Sequence, residues 1–128
     1  MAFLDNQLTN ANVPDSVISI GAAAFENNQL NNVIIGNSVV RIGQSAFMFN
    51  QLTSVVIPDG VVCIAAEAFF GNQLASVIIG NDIVFMPGIF TDDKTGGFGS
   101  AFVGFYKAQG RMAGTYTYSN GQWSFRPR

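Results

Sequence analysis

Asn50-Gln51-Leu52 recurs as Asn6-Gln7-Leu8, Asn28-Gln29-Leu30 and Asn72-Gln73-Leu74. The asparagines stand at 6, 28, 50 and 72, so the period is 22 residues. A fixed period of this length means that one supersecondary unit is repeated. Neighbouring units then stack to bury a core that none could bury alone.

With each Leu as the start of a unit, Leu8, Leu30, Leu52 and Leu74 align. Three residues on come Ala11, Val33, Val55 and Val77, and five on come Val13, Ile35, Ile57 and Ile79. This is the Leu-x-x-Leu-x-Leu spacing of a solenoid strand whose alternate residues point inward. Pro14-Asp15-Ser16, Gly36-Asn37-Ser38, Pro58-Asp59-Gly60 and Gly80-Asn81-Asp82 follow as turns, since these residue types fix or permit turn dihedrals. A second aliphatic segment then aligns Val17, Val39, Val61 and Ile83, followed by Ile20, Ile42, Ile64 and Met86. It reads as a second short strand on another wall. Gly21-Ala22-Ala23-Ala24-Phe25 and its relatives at 43–47 and 65–69 complete the unit: small residues for a tight or single helical turn, and a Phe that plugs the space between coils. Ala2-Phe3 fits the same register. The expected fold is a β-rich leucine-rich-repeat solenoid of about four coils over residues 1–90.

The motifs Ile57-Pro58-Asp59-Gly60-Val61 and Ile42-Gly43-Gln44-Ser45-Ala46-Phe47 resemble the repeat of BspA-like, treponemal-type leucine-rich-repeat proteins. The resemblance covers about residues 2–90. That family often carries Cys three residues after the Ala-Phe pair, where this chain has Asn6, Asn28, Asn50 and Asn72. A ladder of Asn amides there can satisfy the turn backbone and join coil to coil. The resemblance implies a non-enzymatic module that attaches to host or neighbouring-cell proteins at the cell surface or after secretion.

The 22-residue register is expected to fail after Met86. Residues 91–128 read as a mobile loop, 91–101, and a small antiparallel meander: a strand Phe102 to Lys107, a turn at Ala108-Gln109-Gly110, a strand Arg111 to Tyr118, and Gln122-Trp123-Ser124-Phe125. Ser119-Asn120-Gly121 is a strong hairpin turn, because Asn-Gly tolerates positive φ. The tail is similar to that of treponemal members, and a solenoid needs its last coil covered, so this region is the expected cap.

Composition limits the chemistry. The chain has 128 residues, 48% hydrophobic and 11% charged, with a net charge of −2. Ordinary domains carry about 25% charge, so much apolar material must be buried or face a partner. Residues 1–90 hold six carboxylates against Arg41, net −5, and residues 91–128 hold five bases against two carboxylates, net +3. The absence of histidine removes the commonest general base, the Ser/His and Cys/His nucleophile systems and histidine metal sites. Cys63, with register neighbours Ser19, Arg41 and Phe85, reads as a small strand residue. Asp82, Asp92 and Asp93 lack the spaced oxygen set of a calcium loop. Gly96-Gly97-Phe98-Gly99 lacks the Gly-Lys-Ser/Thr end of a phosphate loop. Lys107, Arg111, Arg126 and Arg128 read as a solvated hairpin face, not a nucleic-acid patch. No cofactor, metal or catalytic residue is expected. No apolar run is long enough to span a bilayer. The first residues have neither a basic segment nor an apolar one, so no signal peptide is present as written, which leaves cytoplasmic and periplasmic locations open beside the surface.

Two surfaces stand out. The residue four after each Leu should point outward: Asn12, Ile34, Val56 and Ile78. Beside them run Asn10, Asn32, Ser54 and Ser76. An apolar stripe next to a polar one suggests a binding surface for a protein partner or a hydrophobic ligand, unless the tail folds over it. Alternatively, Phe3, Leu4 and Leu8 begin a coil with nothing stacked before it, and an uncapped end tends to self-associate, which would make the chain an assembly protein and a homo-oligomer.

Overall fold

The computed structural model describes residues 6–65, 67–85 and 100–128. Each repeat supplies one strand to each of two walls: β1 (Asn10–Val13) with β2 (Ser19–Ile20), β3 (Asn32–Ile35) with β4 (Arg41–Ile42), β5 (Ser54–Val56) with β6 (Cys63–Ile64), and β7 (Ser76–Ile79) with β8 (Val84–Phe85). The chain winds as a β-solenoid; parallel pairing is continuous from β2 through β4 and β6 to β8 on the second wall, and on the first it joins β1 to β3 and β5 to β7 in two separate sheets. On the first wall Asn10 meets Asn32 and Ser54 meets Ser76, each 22 residues apart. On the second, Ser19 meets Arg41 and Arg41 meets Cys63. The inward positions read from the sequence form the core: Leu30, Leu52, Leu74, Ile57, Val77 and Ile79 are fully buried.

The third wall, at residues 21–27, 43–49 and 67–71, is neither strand nor helix. Alternate N–H groups reach the next coil: Ala23 to Gln44 C=O at 2.8 Å, Phe25 to Ala46 C=O at 2.8 Å, Phe47 to Ala68 C=O at 2.7 Å. The intervening N–H groups close tight turns within the coil, such as Ala46 to Gly43 C=O and Met48 to Ser45 C=O. This alternation requires left-handed residues at Ala23, Ser45 and Glu67 and at Asn27, Phe49 and Gly71. Phe25, Phe47 and Phe69 stack inside it, with ring centroids 5.3 and 5.1 Å apart.

The asparagine ladder joins the walls. Asn50 donates to Phe47 C=O in its own coil and to Phe25 C=O in the coil before, while its Oδ1 accepts Leu30 N–H at 3.0 Å. Asn72 repeats the pattern with Phe69, Phe47 and Leu52. Each buried amide therefore has its polar atoms satisfied.

Three expectations need correction. The second-wall register slips earlier than Met86: Val84 pairs with Cys63 and Phe85 with Ile64, an offset of 21. Phe85 is thus the partner of Ile64, not of Cys63, and Met86 lies outside the described residues. Second, Phe102 to Lys107 is not a strand. It lies in a helix, α1 (Ser100–Ala108), so Ser100 and Ala101 are not loop either; residues 91–99 are outside the described part. Third, no meander of three strands forms. β9 (Gly114–Ser119) and β10 (Gln122–Pro127) make a hairpin about Asn120 and Gly121, both at positive φ, and β9 pairs antiparallel with β7.

The helix ends where its chemistry says it should. Gly110 takes φ +72°, and Arg111 N–H bonds Tyr106 C=O while Gly110 N–H bonds Lys107 C=O, the glycine-dependent helix stop. α1 buries Phe102, Val103 and Tyr106 against the last coil and the hairpin. In earlier coils the turn closes directly, Val17 N–H to Pro14 C=O, Val39 to Gly36 and Val61 to Pro58. In the last coil the Tyr106 hydroxyl sits between the two groups, accepting Ile83 N–H at 3.1 Å and donating to Gly80 C=O at 2.7 Å.

Candidate functional site

The first wall's outer face is set by strand alternation. Because Val33, Val55 and Val77 turn inward, Ile34, Val56 and Ile78 turn outward. Ile34 is 55% and Val56 56% exposed, while Ile78 is half-buried. Asn12 stands opposite Ile34 in the β1–β3 pair, and Val56 opposite Ile78 in the β5–β7 pair. Asn32 and Ser54 are exposed and Ser76 is half-buried on the neighbouring row.

Among the described residues, no part of the tail folds over this face. It joins at the edge, so that Ile78 stands opposite Thr115 and Ser76 opposite Thr117. Thr115 in turn faces Arg126, and Thr117 faces Ser124. The outer face therefore has an apolar middle of Ile34, Val56 and Ile78, an asparagine-rich end at the first coil and a threonine- and arginine-bearing end on the hairpin. A hollow of about 510 Å³ adjoins the stripe at Asn12 and Ile34, with Asp15 and Asn37 on its rim. There the Asp15 carboxylate accepts Asn37 N–H at 3.0 Å. A second hollow, about 400 Å³, lies at the other end beside Thr115, Thr117, Ser124 and Arg126.

Of the proposed self-association residues, Phe3 and Leu4 lie outside the described residues. Leu8 is half-buried, packs on the core and gives its N–H to Asn28 Oδ1. The first described coil carries an apolar hollow of about 320 Å³ lined by Val13, Val17, Ile20, Ala24 and Phe25 among others.

A second apolar row escaped the sequence reading. Ile18 is 60% and Val62 52% exposed on the second wall, with Val84 also exposed, and their backbones form one ladder, Val40 N–H to Ile18 C=O, Val62 to Val40 and Val84 to Val62. The signal was present: the residue after Val17, Val39, Val61 and Ile83 is apolar in every coil.

The polar candidates stay apart. Cys63 is half-buried on the second wall. Arg128 is engaged in an exposed ion pair with Asp59. Asp92, Asp93 and the 96–99 glycine segment lie outside the described residues, and among those described no cluster of carboxylates and cysteine is placed to hold a metal ion. No helix among the described residues is long and apolar enough to cross a membrane.

Residues 1–94 match the family of the BspA type leucine rich repeat region, in six copies. Neither a curated protein nor a solved structure matches the chain.

Proposed function

The chain belongs to the BspA-type leucine-rich-repeat family, and from that premise we propose that it is a non-enzymatic adhesion module that grips a protein partner on the outer face of its first wall. Repeat proteins of this family are generally non-enzymatic interaction modules and are often surface-associated. The observation that carries the reading is the exposure of Ile34 and Val56 on adjacent coils, with the hairpin joined at the sheet edge beside Ile78. Two side chains of this size exposed on one wall cost solubility and contribute nothing to the core. They gain about 25 cal/mol per Å² when a partner covers them. The Asn, Ser and Thr row beside them supplies hydrogen bonds at the rim, the usual anatomy of a protein interface.

The test is the triple variant Ile34→Ser, Val56→Ser, Ile78→Ser, screened with the wild type against an array of extended apolar peptides. The expected result is that the wild type retains a subset and the variant none, with circular dichroism unchanged. Equal retention by both would remove this face as the site. Unfolding of the variant would show the stripe to be core.

A further inference from the structure

We infer that two copies of this chain pair edge to edge through β10, antiparallel and centred on Ser124, so that their hairpin sheets become one. The argument starts from hydrogen-bond alternation. Tyr118 N–H bonds Ala75 C=O, so the backbone groups of Gly114, Tyr116 and Tyr118 face β7. Those of Thr115, Thr117 and Ser119 then face β10, opposite Arg126, Ser124 and Gln122. Arg128 N–H to Ala113 C=O continues the same phase. The backbone groups of Trp123, Phe125 and Pro127 consequently point away from β9, to the outer edge, where no described residue pairs with them. A row of outward N–H and C=O groups is a template for another strand.

The sequence of β10 selects its own copy as that strand. With Ser124 opposite Ser124, Trp123 stands opposite Phe125 on both sides of the axis. The N–H and C=O of both residues are then all used, in four bonds. A register one step further along would put Pro127 opposite Trp123, and proline has no N–H to give. Pro127 therefore excludes that register without blocking the pairing, and the opposite step would set Phe125 against the turn residue Gly121, outside the strand. The side chains agree. Trp123 and Phe125 lie on the inner face, packed on Tyr118 and Tyr116 with ring centroids 5.2 and 4.7 Å apart, yet both remain half-exposed at the edge. Across the axis each would cover the other, an aromatic cross-strand pair. On the outer face Arg126 would stand opposite Gln122, so no like charges meet. A two-fold of this kind keeps the outer faces on one side, and Val56 and Ile78 of both copies would lie on one continuous sheet.

The test uses the full chain. Ser124→Lys places two ammonium groups opposite each other at the axis but leaves an exposed side chain in the monomer. Sedimentation equilibrium should show a wild-type dimer whose dissociation constant rises about tenfold or more in the variant, with the thermal midpoint of dilute monomer unchanged. Mixing Ser124→Lys with Ser124→Glu should restore a heterodimer. In a Cys63→Ser background, Ser124→Cys should oxidise to a covalent dimer, because directly opposed non-hydrogen-bonded residues are within disulfide reach, and Gln122→Cys should not. A monomer up to about 1 mM, the weak end of specific association, would overturn the inference. So would a dimer indifferent to Ser124→Lys, which would place the interface elsewhere, or a β10 edge that accepts only a foreign extended peptide.

Discussion

Asn50 shows what a single residue carries in a solenoid. Its amide serves two coils at once, and removing it strands Leu30 N–H, while the Phe25 and Phe47 carbonyls keep only their bonds from Asn28 and Asn72. Asn50→Ala is expected to cost about 1–3 kcal/mol, since an unsatisfied buried N–H pays its desolvation penalty in full, and urea denaturation would measure it. Such a role was legible from the repeat of Asn at 28, 50 and 72 alone, because a buried amide must be satisfied wherever it recurs. The left-handed residues were not. Ala23, Ser45 and Glu67 are not residue types that favour positive φ, and only the coil-to-coil pairing of alternate N–H groups forces them there. Ser45→Gly should therefore stabilise by up to about 1 kcal/mol, as the left-handed penalty on a side chain outweighs glycine's entropy. Ser54→Gly, in a strand with ordinary φ, should instead destabilise by roughly 0.5–1 kcal/mol. Thermal melts of the two variants moving in opposite directions would check this.

The helix α1 is where an element escaped the sequence. Phe102, Gly104 and Tyr106 alternate as a strand would, but Phe102, Val103 and Tyr106 also mark one helical face, and short apolar runs do not separate the two periods. Docking decided it: only as a helix does the segment set Phe102 against Phe85, Tyr116 and Trp123 and bring the Tyr106 hydroxyl to the last turn. Tyr106→Phe should cost about 1–2 kcal/mol, the loss of a buried hydroxyl bridge; a loss under about 0.5 kcal/mol would mean that Ile83 N–H closes on Gly80 C=O as in earlier coils. The same cluster sets a pH limit. Burial raises the Tyr106 phenol above its ordinary 10, and burial together with the neighbouring Tyr106 pushes Tyr116 up to about 12. Both phenols are thus held neutral more strongly in the folded than in the unfolded chain. The Tyr116 contribution is complete below pH 10 and is lost as pH rises from 10 through about 12, and that of Tyr106 is lost in the same direction. In a Tyr118→Phe background, tyrosinate absorbance should rise together with loss of near-ultraviolet ellipticity over that interval.

The periodic part of the fold was readable because every coil offers the next the same surface, so one alignment fixes inward and outward positions throughout. The outer stripe came from that alignment; the second-wall row was equally readable and was passed over. The β9–β10 hairpin was readable from its Asn120-Gly121 turn; the slip at Val84, the helix α1 and the pairing of β9 with β7 were not, because nothing repeats there and tertiary contact sets the structure. These are also the contacts that couple the tail to the solenoid: β7 with β9, and Tyr106 with the Gly80–Ile83 turn. If residues 91–128 act as a cap on 1–90, the coupling should be separable. Trp123 is the chain's one tryptophan and lies on the hairpin, so its fluorescence reports the tail, while far-ultraviolet circular dichroism is dominated by the strands of the solenoid. In the wild type the two urea transitions should coincide. Tyr106→Ala removes the hydroxyl bridge and a ring packed on Phe85, Phe102 and Tyr116, a local loss of about 3–5 kcal/mol. The Trp123 transition should then move to lower urea than the circular dichroism transition. Nearest-neighbour stacking lets the earlier coils persist after the last one is uncovered. Two transitions that shift together would mean that the tail is an integral part of the solenoid's cooperative unit and not a cap upon it.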